Sequence, residues 1–198
     1  MAKIETVTVR HFEVPLAEVT ADQRRFAKVV NFGLLYGMSE FGLATRADLS
    51  RAEAAPIIEE YFRKYPGIQQ YLDETKQMAR QQGYVQTLRG RRRYLPEVKA
   101  ANVQVRNAAE RMAINMPIQG TAADVIKIGM VRVQEEMGRR KLRSRMLLQV
   151  HDELIFEASM DEINDLKGII LDLMPQAMDL AVPLKVDLKQ GGNWGDMN

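Results

Sequence analysis

The chain contains no cysteine. That excludes a disulfide framework and a thiolate metal site, and it suits an intracellular, cytoplasmic protein. No run of about 18 apolar residues occurs, so no segment reads as a spanning helix and no membrane partner is expected. The first ten residues, MAKIETVTVR, lack the apolar core of a signal peptide. A charge excess is missing too: 28 Lys and Arg against 26 Asp and Glu leave a net charge of +2, so bulk charge does not announce a polyanion partner. Repeats, low-complexity segments and obvious linkers are absent.

What is present is enough for a core. The 198 residues are 46% hydrophobic, which suits one large domain or one and a half small ones. The basic residues are clustered. Arg89, Arg91, Arg92 and Arg93 form one group, and Arg139, Arg140, Lys141, Arg143 and Arg145 a second. A basic run alone is compatible with a solvated face, but two runs beside a third basic stripe point to nucleic acid. Residues 4–10 alternate like a strand. Asp22 is placed to cap a long helix that Gly37 ends. Helices are predicted over 39–45, over 50–65 with a Ser50/Glu53 capping box, and over 67–82. A hairpin around Gly90 follows at 84–95. Pro117 is expected to end a helix over 102–116, ahead of a second over 121–140. Strands at 145–150 and 153–158, a helix over 161–180 and a strand at 184–189 complete an α+β pattern, helix-rich with a small antiparallel sheet near the C-terminus.

Three stretches carry chemistry. In RRFAKVVNFGLLYG, Arg24, Lys28, Phe32 and Tyr36 recur every four residues, and Gly33 and Gly37 each follow a ring. On a helix each such step advances about 40°, so the four form one slowly winding stripe. Two cations followed by two rings match the phosphates, then sugar and base, of a nucleoside triphosphate. A basic amphipathic helix with a buried aromatic side has the same spacing. In LLQVHDELIFEA, two apolar strands meet at a turn that lifts Asp152 and Glu153 to the rim. Asp is also common in turns for its local hydrogen bonding, but carboxylates there suit a hard divalent cation such as Mg2+. His151 is placed to touch a phosphate or to be solvated. In AERMAINMPIQGTAAD, Asn115 and Gln119 are amides able to read minor-groove acceptors, or simply caps near a helix break. Arg106 and Arg111 lie five apart, not as a neighbouring pair.

Taken together, R-x-x-x-K-x-x-x-F-G-x-x-Y-G, TLRGRRRYLP, RMAINMPIQGTAADVIK and QVHDE, in that order, resemble the C-terminal polymerase region of family A DNA polymerases, the bacterial DNA polymerase I type. The likeness runs from about residue 14 to the end. It implies a divergent segment 1–13, fingers over 14–100 and the C-terminal part of a palm, with an incomplete antiparallel sheet, over 101–198. It implies template-directed DNA synthesis, a nucleotidyl transfer from dNTP to a primer 3′-hydroxyl, in DNA replication and repair at the bacterial nucleoid. Arg24 and Lys28 would bind the triphosphate, with Lys28 the proton donor to leaving pyrophosphate. Phe32 would pack on sugar and base, and Tyr36 would stack at the template side. Some relatives carry Tyr where Phe32 stands and accept dideoxynucleotides more readily, so Phe32 implies discrimination. Arg111, Asn115, Gln119 and His151 would touch primer-template DNA. Asp152 would hold two catalytic Mg2+ ions and Glu153 would support them.

The departure from the family is a second aspartate. It belongs to a D-Y-S-x-x-E motif before the fingers helix, yet Asp22 is the only aspartate among the 23 residues preceding Arg24. Asp48 to Glu53 fits D-x-S-x-x-E, but it follows that helix, and Ser50 and Glu53 already form a capping box. Residues 4–9, I-E-T-V-T-V, replace the family's I-H-T-x-T-A-like segment. One carboxylate cannot easily hold two magnesium ions against their mutual repulsion. The expectation is therefore one piece of a split polymerase, whose partner polypeptide supplies the thumb, the missing strand and the other aspartate. The alternative is a catalytically dead remnant that binds DNA or nucleotide only. A purely structural protein gives no reason for the four-residue stripe.

Overall fold

The computed structural model describes residues 15–197. The strand expected over 4–10 lies outside them. Helices predominate, with two small antiparallel sheets, so the fold is α+β as expected. The chain divides into two compact units, with the boundary after Ile118.

The first unit is built on helix α1 (Ala21–Leu35). Its cap is Thr20, not Asp22. The Thr20 hydroxyl accepts from the Gln23 N–H at 3.2 Å, and the Gln23 side chain accepts from the Thr20 N–H at 2.9 Å, a reciprocal capping box. Asp22 instead sits in the first turn, 3.3 Å from Arg25. At the other end Gly37 adopts φ +74°. The Met38 N–H reaches the Gly33 carbonyl at 2.8 Å, and the Gly37 N–H reaches that of Leu34 at 3.0 Å, a Schellman closure. The left-handed dihedral of Gly37 favours glycine, and a Cβ there would stand 2.8 Å from Ile114 Cδ1, which would have to give way.

Helices α2 (Glu40–Ala47) and α3 (Arg51–Lys64) follow, the latter on the expected Ser50/Glu53 capping box. Helix α4 (Pro66–Gln82) begins on Pro66, whose fixed φ and missing N–H suit a first turn. Val30 and Leu34 of α1 pack with Leu43, Ala44, Ala54 and Tyr61. The hairpin β1 (Tyr84–Gln86) and β2 (Arg92–Tyr94) pairs Tyr84 with Tyr94, their rings 5.6 Å apart. Gly90 turns its loop at φ +81°.

The main departure from expectation is helix α5 (Val103–Arg139), which runs unbroken through Pro117. Proline withholds an N–H from the Ala113 carbonyl, but a helix absorbs this when neighbours support the interruption. The Tyr71 hydroxyl, from α4, donates to the adjacent Ile114 carbonyl at 2.9 Å. The boundary between the units falls inside α5.

In the second unit, Val133 and Met137 of α5 pack with Leu166, Ile169 and Ile170 of α6 (Ile163–Leu173). Strands β3 (Arg145–Val150) and β4 (Glu153–Glu157) form an antiparallel pair, with a register shift between Met146 and Leu148. Helix α6 is shorter than the expected 161–180. Pro175 has no N–H with which to prolong it. The strand expected at 184–189 does not form; Val186 and Leu188 pack on the core without joining the two-stranded sheet. A single 3-10 turn, Trp194–Asp196, lies near the end.

The entrance to α6 is held by one carboxylate. Glu162 accepts from the Arg143 N–H at 2.9 Å, the Ser144 N–H at 2.8 Å and the Ser144 hydroxyl at 2.7 Å. These donors, the Arg143 N–H foremost, hold its pKa down at about 2 against an ordinary 4.5. A lowered folded pKa contributes stability that is present above the unfolded value and lost as pH falls through the folded one. Glu162→Gln is therefore expected to lower the Tm at neutral pH and flatten the decline between about 4.5 and about 2. Glu60 and Glu136, also held at about 2 by basic neighbours, leave a residual slope. Calorimetry across that range checks this; superimposable parent and variant profiles would contradict it.

Candidate functional site

Helix α1 has two distinct faces. Ala27, Val30, Asn31 and Leu34 are buried. Arg24, Lys28 and Phe32 are exposed, and Tyr36 is half-buried at the C-cap. Phe32 keeps 36% of its surface accessible, so its ring is not on the core side as a simple amphipathic reading required. The stripe presents two cations and then a ring to solvent, rising about 6 Å per step.

The structure brings a distant segment to the end of this stripe. A Cβ on Gly37 would meet Ile114, and at 3.9 Å the Arg111 Cγ. The C-terminus of α1 therefore rests on the part of α5 that carries Arg111 and Asn115, one turn apart on the same face. Arg111 is exposed, while the Asn115 Oδ1 is buried with no hydrogen-bond partner among the described residues. Tyr71 lies close enough to Tyr36 for the two phenols to interact electrostatically, and burial pushes its own pKa up. The arginines of the β1–β2 hairpin are exposed; Arg92 stacks 4.6 Å over the Tyr84 ring, and Arg93 lies 3.2 Å from the Met112 sulfur on α5.

In the second unit, His151 and Asp152 form the two-residue β3–β4 turn, and Glu153 opens β4. His151 takes φ +53°, a conformation that His tolerates better than most side chains. The Gln149 amide props the turn by donating to the His151 carbonyl at 2.8 Å. All three residues are exposed, as is Gln119 on α5. Asp152 and Glu153 offer the hard oxygen donors that magnesium prefers. They do not complete a site: among the described residues no group of three His, Cys, Asp or Glu side chains is placed to hold a metal ion. The D-x-S-x-x-E stretch is structural. Asp48 is the left-handed C-cap of α2, and the Glu53 carboxylate accepts from the Ser50 N–H at 2.8 Å and hydroxyl at 2.7 Å.

These faces coincide with a broader likeness. The sequence profile of DNA polymerase family A matches residues 5–196, and the chain belongs to that family. It is 50% identical over 185 residues to DNA polymerase I of Bacillus caldotenax, covering 93% of this chain and 21% of that protein. Against DNA polymerase I of Lactococcus lactis subsp. cremoris the identity is 47% over 195 residues, covering 98% and 22%. Among solved structures, the POL domain of Pol1 from M. smegmatis, in complex with DNA primer-template and dNTP, superposes with a TM-score of 0.87 at 47% identity. That match covers 91% of this chain and 32% of the other. The chain thus spans about a fifth of the length of the curated relatives it matches.

Two residues behind the stripe escaped the sequence reading. Asn31 is a polar side chain at a buried phase of α1, a signal its spacing from Ala27 and Leu34 could have given. Tyr71 had no local signal, because its partner lies 43 positions away.

Proposed function

We propose that this chain is the nucleotide-gripping fingers (14–100) and the C-terminal palm (101–198) of a template-directed DNA polymerase. The observation that carries this reading is the exposed Arg24–Lys28–Phe32 stripe of α1. Its end, at Tyr36, rests on the segment bearing Arg111 and Asn115, in a chain half identical to DNA polymerases I. The M. smegmatis relative, solved with primer-template and dNTP, supports both as ligands.

In this reading Arg24 and Lys28 neutralise the triphosphate. Phe32 lies against sugar and base, Tyr36 stacks at the template side, and Arg111 and Asn115, with Gln119 and His151 of the second unit, hold primer-template. The primer 3′-hydroxyl gives its proton to solvent water, and O3′ bonds to the α-phosphorus as the bond to the β-phosphate oxygen breaks. The Lys28 ammonium gives its proton to the departing pyrophosphate. Magnesium, when bound, supplies charge neutralisation at the phosphates and a more acidic 3′-hydroxyl. Asp152, with Glu153 in support, would be this chain's share of its ligands. In this reading a second polypeptide completes the ligand set and brings the thumb. The rival reading is a remnant that binds nucleotide or DNA without catalysis.

The test is extension of a labelled primer-template. The chain alone should give none, and an upstream family A fragment bearing the thumb and the D-Y-S-x-x-E motif should restore it. Extension by the chain alone, abolished by Asp152→Ala, would remove the need for a partner. Binding of primer-template or dNTP that no fragment converts to extension would establish the remnant, and no binding of either would sink both readings.

A further inference from the structure

We propose that Asn31 is a positioning residue, hydrogen-bonded to Tyr61, that fixes the rotation of α1 and thereby the place of Lys28 and Phe32. This rests on the reading of α1 as the nucleotide-gripping helix. Asn31 is 1% exposed and Tyr61 5% exposed. The Tyr61 hydroxyl, on α3, donates to the Asn31 Oδ1 at 3.0 Å. The pair is incompletely satisfied: the Asn31 Nδ2 is buried with no partner among the described residues, and so is the hydroxyl of Tyr65, whose ring lies 5.1 Å from Tyr61.

A half-satisfied polar pair is a poor way to stabilise a core, since an apolar pair of the same shape would leave no group unpaired. What the pair adds is direction. The surrounding contacts of α1, Val30 and Leu34 with Leu43, Ala44 and Ala54, are apolar, and the force behind each is non-directional. A hydrogen bond loses its strength as its geometry is bent. Side chains extend to about 5 Å from a helix axis, so a 20° roll of α1 displaces them by about 2 Å. Asn31 directly precedes Phe32 and follows Lys28 by three positions, so a contact that stops the roll at Asn31 stops it for both.

The test is a double-mutant cycle with two readouts. Asn31→Leu and Tyr61→Phe should each lower the Tm, because each leaves the other partner's polar atoms buried and unpaired. The Asn31→Leu/Tyr61→Phe double variant should regain the parent Tm or exceed it. Its affinity for a fluorescent dNTP should nonetheless stay about tenfold weaker, because preorganisation is not restored with stability. Affinity that recovers together with Tm would overturn the proposal, as would a Tyr61→Phe variant with unchanged affinity. Fluorine NMR of para-fluorophenylalanine at position 32 tests the anchor without nucleotide. One narrow resonance is expected in the parent and a broadened or split one in the double variant; the same narrow line in both would overturn the anchor. A parent chain that binds no dNTP refutes the nucleotide reading and the positioning role with it, while the resonance still reports the anchor itself.

Discussion

Alanine at Asp152 is expected to lower primer extension by the complemented chain by about 10³-fold, while dNTP affinity and Tm stay at their parent values. The separation follows from where the residue sits. Asp152 is exposed on a turn whose path is set by the backbone of His151 and by the Gln149 amide, so its carboxylate is not needed to keep the hairpin closed. The Arg24–Lys28–Phe32 stripe of α1 lies in the other compact unit. Paired measurements of extension rate and dNTP binding on the same preparation check the result. Extension at the parent rate would remove Asp152 from the chemistry; a fall in Tm would show a structural role instead.

Lys28→Ala is expected to cut extension at saturating dNTP by about 10²- to 10⁴-fold, the range for loss of a general acid, and to weaken dNTP binding as well. Lys28 is exposed, so the Tm should hold. Lys28→Arg separates the two roles proposed for it. A guanidinium keeps the charge but does not release a proton in proteins. Binding should therefore be largely restored while the rate stays low. Single-turnover kinetics, which measure affinity and chemistry separately, decide the matter. An arginine variant with the parent rate would leave Lys28 as a phosphate clamp alone.

Local rules and long-range packing divide what could be seen in advance. The Ser50/Glu53 cap, the Gly37 stop and the turn at His151 and Asp152 each depend on a few adjacent residues, and all were legible. The placement of Lys28 and Phe32 on one side of α1 was legible too, because helical period fixes it. Pro117 misled because a long helix can absorb one missing N–H, and whether it does so is not written in the adjacent residues. Asp22 misled because Thr20 and Gln23 offered a fuller reciprocal cap two residues earlier. The segment at 184–189 has a strand's composition but no ladder to join, and alternation cannot supply a partner. The meeting of Gly37 with Ile114 and Arg111 was invisible locally. It depends on the absence of a side chain at one position and on a helix some 70 residues further along.

The buried Tyr61 hydroxyl also sets how the first unit meets strong base. Burial, with the Tyr65 phenol beside it, pushes its pKa up to about 12 from an ordinary 10. The folded chain keeps a proton there that the unfolded chain surrenders sooner, so its stabilisation is intact below about 10 and drains away as pH rises towards about 12. Phenolate absorbance should therefore not climb smoothly with added hydroxide. The Tyr61 signal should arrive in one step with the unfolding of the helices around it, making an ultraviolet titration a measure of cooperativity as well as of acidity.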